Sequence, residues 1–178
     1  MANRHLDRVL STDYLDGLPQ WSMEEIRARR AECQMLEDAA SYLRRIVQAR
    51  LDIIGTELHS RSTGDDADLE ALVGALPSIL ADRSTRIGSG RFIVDVGPGE
   101  DQASWALMRA DAALGEHDIA DAPELDDAEL HAMADRMHVL EREISKERRT
   151  LHDKLDVMQA ELVRRYRTGE ATVEGLLR

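Results

Sequence analysis

Two long stretches of the chain carry apolar side chains at helical spacing, and the stretch between them does not. In the first, apolar or small residues recur at Ile26, Cys33, Leu36, Ala40, Leu43, Val47, Leu51, Ile54 and Leu58. In the second, the series is Leu130, Met133, Met137, Leu140, Ile144, Leu151, Leu155, Met158 and Leu162. Such steps put each series on one seam of a helix, as in coiled-coil packing. The ends are marked too. Ser22 with Glu25, and Asp126 with Glu129, read as capping boxes, and Gly169 is a natural stop. The pattern predicts helix one over residues 23–59, mildly weakened by Gly55, and helix two over 127–167. Two long amphipathic helices joined by a connector read as an antiparallel hairpin. The expected fold class is therefore all-α: an antiparallel two-helix coiled-coil hairpin with an N-terminal short helix and a long, partly ordered connector.

The flanking segments are weaker. Residues 1–22 hold Leu6, Val9, Leu10, Tyr14, Leu15 and Leu18, a short amphipathic helix ending near Gly17 and Pro19. It is too short to stand alone and needs a surface to dock on. Residues 60–126 form the connector, which is long for a loop inside a compact domain. It reads as a polar turn at 60–66, a short helix in 69–80 broken near Pro77, a strand-like run at 91–96 closed by Gly97-Pro98-Gly99, and a short helix over 105–114. Residues 168–178 are a C-terminal tail.

Composition narrows the class. Aromatic residues make up 3% of the 178 and charged residues 33%, which disfavours a compact α/β core and favours long helices with narrow seams. The net charge of -12 is unevenly placed: residues 23–59 carry -1, 127–167 carry 0, and 60–126 carry -9. The helices therefore need not repel an anionic ligand, direct DNA binding is a poor fit, and a basic protein partner suits the connector. No apolar run is long enough to span a membrane and no secretory leader is visible, so a cytoplasmic location is expected. A single cysteine, Cys33, excludes an intramolecular disulfide and a cysteine-based zinc site.

One polar pattern occurs twice. Helix one carries Glu37, Ser41, Arg44, Gln48 and Asp52; helix two carries Glu141, Ser145, Arg148, His152 and Asp156, each 104 residues after its counterpart. At about 100° per residue these spacings keep five side chains within ~80° of one another, along roughly 22 Å of helix. The seams lie beside the stripes on the same rotational side in both helices: Leu36, Ala40, Leu43 and Val47 correspond to Leu140, Ile144, Glu147 and Leu151. Antiparallel packing through equivalent seams is expected to bring all ten polar side chains to one face, suited to a symmetric ligand or two copies of one ligand.

Guanine suits this chemistry. A carboxylate accepts from its N1–H and N2–H2 edge, and arginine donates in a fork to O6 and N7 or to phosphate. Serine and glutamine adapt to phosphate, ribose or base edges. Two carboxylates per stripe rule out phosphate attraction as the whole design. A solvated helix face explains a single stripe well, and two stripes in matched register poorly. Other chemistries are not signalled. His131 and His138 stand seven apart and His152 near Asp156, but the repeated Glu-x-x-His pairs of a di-iron bundle are missing. No nucleophile motif or strand-led phosphate loop is visible, so neither an enzyme nor a metal protein is expected.

At these residues the chain resembles the RsiG family, cyclic-di-GMP-dependent anti-sigma factors of sporulating actinobacteria. The family's signature, Glu-x3-Ser-x2-Arg-x3-Gln-x3-Asp once per helix, is complete in helix one. It is met at four of five positions in helix two, where His152 replaces glutamine. Histidine still forms a hydrogen bond there, and its protonation would make that half-site sensitive to pH. Leu6-Asp7-Arg8-Val9-Leu10 and Tyr14-Leu15-Asp16-Gly17-Leu18 also resemble the family's N-terminal segment. The resemblance implies that the ten stripe residues bind two cyclic-di-GMP molecules as a regulatory ligand. The loaded protein would then sequester a sigma factor of the WhiG/FliA class and repress late sporulation genes. The alternative expectation is a nucleotide-independent coiled-coil adaptor or scaffold.

Overall fold

The structure, a computed structural model, describes residues 4–63 and 99–170. Helix α1 spans Arg4–Leu10, α2 Met23–Thr63, α3 Glu100–Leu114 and α4 Asp127–Thr168. Single 3-10 turns at Leu18–Gln20 and Ile119–Asp121 complete the order. Among the described residues there is no strand, and the two long helices form the expected all-α hairpin. The short helix expected in 69–80 and the strand-like run at 91–96 lie outside the described residues.

Local chemistry sets the boundaries. At the start of α2, Ser22 Oγ accepts from the Glu25 amide at 3.0 Å. At the start of α4 both arms of the capping box form: Asp126 accepts from the Glu129 amide at 2.8 Å, and Glu129 from the Asp126 amide at 2.9 Å. Helix α2 runs to Thr63, not to His59 as the sequence suggests. Residues 60–63 stay helical because Ser62 and Thr63 hydroxyls donate to the His59 carbonyl, while Arg61 is tied down at its far end. The N-terminal helix, in contrast, stops at Leu10 rather than near Gly17. The Ser11 hydroxyl donates to the Arg8 carbonyl at 2.7 Å, and successive turns carry the chain to Gly17, whose φ of 78° opens the proline-led 3-10 turn. The third helix begins five residues before Trp105.

The chain divides into two compact units: residues up to Asp38 with those from Lys146, and Ala39–Ser145. Each therefore takes the first part of one long helix and the last part of the other. They are built on one plan, and the 104-residue offset extends well beyond the stripe.

In the first unit, the entry turn of α2 is held by Arg165 near the end of α4. Its guanidinium donates to the carbonyls of Trp21 at 2.5 Å, Leu18 at 3.1 Å and Pro19 at 3.2 Å, and its Nε to Glu161 at 2.6 Å. Hydrogen bonds from Arg164 and Arg165 hold the Glu161 carboxyl down to about 2. Lys154 donates to the Ser11 carbonyl at 2.8 Å, and Glu32 on α2 takes Arg8 of α1. The Arg29 guanidinium stacks 3.9 Å over Trp21. Leu6, Val9, Tyr14, Leu18 and Trp21 are thereby buried, which gives the short N-terminal helix the surface it needs. Burial, with Glu32 beside it, pushes the Tyr14 phenol up.

In the second unit, Arg61 near the end of α2 plays the same part for α4. It donates to the carbonyls of Leu125 at 2.7 Å, Pro123 at 3.0 Å and Ala122 at 3.1 Å, and to Glu57 at 2.6 Å. Each of these residues lies 104 before or after its counterpart in the first unit: Arg61 and Arg165, Glu57 and Glu161, Pro123 and Pro19. Helix α3 stands where α1 stands. Arg50 pairs with its Asp111, and Arg136 donates to the carbonyls of Ala113 at 3.1 Å and Leu114 at 2.7 Å. The Arg136 guanidinium passes so close to Gly115 (φ 86°) that a Cβ there would meet it at 3.3 Å.

The covering helix modifies the seam. The sequence puts Leu51 and Leu58 on it, but both are half-buried, whereas Ile46, Ala49, Ile53 and Glu57 are buried. Because Arg50 reaches α3, this flank of α2 faces that helix. A periodicity read for one packing partner misses the second.

Candidate functional site

In the second unit, α2 supplies Ser41, Arg44, Gln48 and Asp52, and α4 supplies Glu141 and Ser145. Arg44 Nε donates to Glu141 Oε1 at 3.2 Å, linking the two helices. Both side chains keep part of their surface in solvent, 36% and 26%. Gln48, Asp52 and Glu141, together with Leu51 and His138, border an open recess of about 420 Å³. That size falls in the range of roughly 300–1,000 Å³ typical of small-ligand clefts. Ser41 and Ser145 are half-buried beside the seam.

In the first unit, α2 supplies Glu37 and α4 supplies Arg148, His152 and Asp156. Arg148 donates through Nε and Nη2 to Glu37 Oε1 at 3.1 and 3.0 Å. His152 Nε2 lies 3.2 Å from the same oxygen. Only 8% of the Glu37 side chain is exposed, against 54% for His152; Asp156 is exposed.

Arg44 with Glu141, and Arg148 with Glu37, are one pair made twice, since both members shift by 104 in opposite senses. The sequence puts the ten residues on stripes but carries no local sign that each arginine binds the other helix's glutamate. His138 lies outside the repeated pattern, yet it stands three residues before Glu141 and so on the same helix face.

The electrostatics define what the arrangement can do. A partly solvated ion pair such as Arg44–Glu141 is worth on the order of 1 kcal/mol and is more readily exchanged than a buried one. Glu37, nearly desolvated, needs a donor at all times, because an unpaired buried carboxylate is costly. A ligand that offers donors to the glutamate and an acceptor or anion to the arginine can replace each pair and leave no charge stranded. Among the described residues, no three histidine, cysteine, aspartate or glutamate side chains converge as a metal site. No described helix is long and apolar enough to cross a membrane.

Fold and site together define a class, an all-helical hairpin protein with one copy of the same polar stripe on each long helix. Within that class the chain belongs to the RsiG-like family, whose model matches residues 12–80 and 116–178. The two matched segments begin 104 residues apart, at the offset that relates the stripes. A comparison with curated proteins finds no match. Family membership points to a role of the anti-sigma-factor type.

Proposed function

We propose that this protein is a cyclic-di-GMP-responsive anti-sigma factor. It binds two cyclic-di-GMP molecules through the stripe residues, and the loaded form sequesters a WhiG/FliA-class sigma factor, which silences late sporulation genes. The observation that carries the reading is the duplicated arginine–glutamate pair, set in stripes that fit the family pattern at nine of ten positions. A guanine nucleotide matches both members. Its N1–H and N2–H2 edge donates to Glu37 or Glu141, and its O6, N7 or phosphate oxygens accept from Arg44 or Arg148. Nucleotide and sigma factor then bind with positive coupling, each raising the affinity for the other.

Isothermal titration with cyclic-di-GMP tests this on wild type, Arg44→Ala and Arg148→Ala. Two nucleotides per chain are expected for wild type. Each variant loses a charge-assisted contact of about 1.5–3 kcal/mol, and so roughly 10- to 100-fold in affinity. Capture of purified sigma factor is expected to require the nucleotide. Binding unchanged in both variants would remove the stripe as the site. Nucleotide-independent capture would favour the adaptor reading.

A further inference from the structure

The recess in the second unit has a polar member that the stripe does not contain. His138 borders it with Gln48, Leu51, Asp52 and Glu141. Moving each of these five by 104 residues gives Gln34, His152, Leu155, Asp156 and Glu37, all in the first unit. The two sets hold the same five residue types. Leucine, aspartate and glutamate map onto themselves, while glutamine and histidine have changed places. In the second unit glutamine stands on α2 at 48 and histidine on α4 at 138. In the first, histidine stands on α4 at 152 and glutamine on α2 at 34.

Local geometry is consistent with this exchange. Gln34 lies three residues before Glu37, as His138 lies three before Glu141, so each flanks its glutamate on the same helix face. His152 reaches the oxygen of Glu37 that Arg148 also uses. Gln34 Nε2 donates to Asp38 at 3.0 Å, an exposed contact one turn along α2 that a ligand can replace. Neutral histidine and glutamine each present one donor group and one acceptor, at similar reach from the backbone. A half-site that keeps one of each keeps its hydrogen-bonding inventory, whichever of the two equivalent positions carries which.

We infer that His138 and Gln34 are further members of the two ligand half-sites, and that Gln34 compensates for histidine at 152. Both half-sites then offer a guanine nucleotide the same donors and acceptors. The inference rests on the function proposed above and adds specificity-determining residues to it.

The test is titration of the full chain with cyclic-di-GMP. The variants are His138→Leu, His138→Gln, Gln34→Leu and the exchange Gln48→His with His138→Gln; Arg44→Ala is the control for the site itself. Neither His138 nor Gln34 belongs to the core, so helicity by circular dichroism stays at the wild-type level. Each leucine variant weakens binding at least tenfold. His138→Gln and the exchange bind within threefold of wild type, which a merely structural role for His138 would not require. Leucine variants that bind like wild type overturn the inference, and loss in Arg44→Ala would then leave the functional reading standing. Loss of binding in the exchange overturns the compensation. No binding by wild type overturns both.

Discussion

Cys33 is fully buried on the α2 seam, and its thiol donates to the Leu151 carbonyl at 3.5 Å. Burial pushes its pKa up to about 11, from 9.0. A raised acid favours the folded state while it stays protonated. That contribution is complete below pH 9 and fades as pH rises towards about 11. The melting temperature should therefore fall across this window, and fall less in Cys33→Ala. At neutral pH the thiol should react with a disulfide reagent only as fast as the protein opens. Rapid stoichiometric labelling of the folded chain would contradict this. The thiol's environment was half legible in the sequence: the seam position gives burial, but the carbonyl partner comes from the other helix.

Among the elements, the two arginine clamps do what the capping boxes cannot. A cap satisfies amides within one helix, whereas Arg165 and Arg61 each join the end of one long helix to the turn that begins the other. Arg165 is the more buried of the two, and Arg165→Met leaves three carbonyls and Glu161 short of a donor. A loss of about 3 kcal/mol is expected, roughly 6–12 °C in melting temperature for a chain of this size. Arg61→Met should cost less, because Arg61 itself is only half-buried; thermal unfolding of both variants ranks them. Helix existence, type and caps were legible because apolar spacing and the Ser22–Glu25 and Asp126–Glu129 signals are local. The clamps were not, since nothing local marks an arginine whose acceptors are backbone carbonyls more than sixty residues away. The extent of α1 and α3 was blurred for the same reason, and the burial of Ile46 and Ile53 needed the second partner, α3.

The stripe residues were legible as a set, through repetition, while their pairing was a property of the folded chain. At this scale the plan of the units matters most. Each draws on both long helices, and so on both halves of the sequence, so neither forms from one half alone. Fragments 1–63 and 99–178, produced separately, should each show little helix in dilute solution. When mixed they should gain helicity and elute as a one-to-one complex, read by circular dichroism and size-exclusion chromatography. Stable folding of either fragment alone would contradict the division into mixed units.

The reciprocal pairs, Arg44 with Glu141 and Arg148 with Glu37, carry a consequence for how this chain can change over generations. Duplicated genes usually free one copy to drift while the other keeps the old task. Here each pair draws one member from each copy, so a lesion in either copy strips a partner from the other. Neither repeat is redundant, and a change to one member of a pair calls for a matching change in the other repeat.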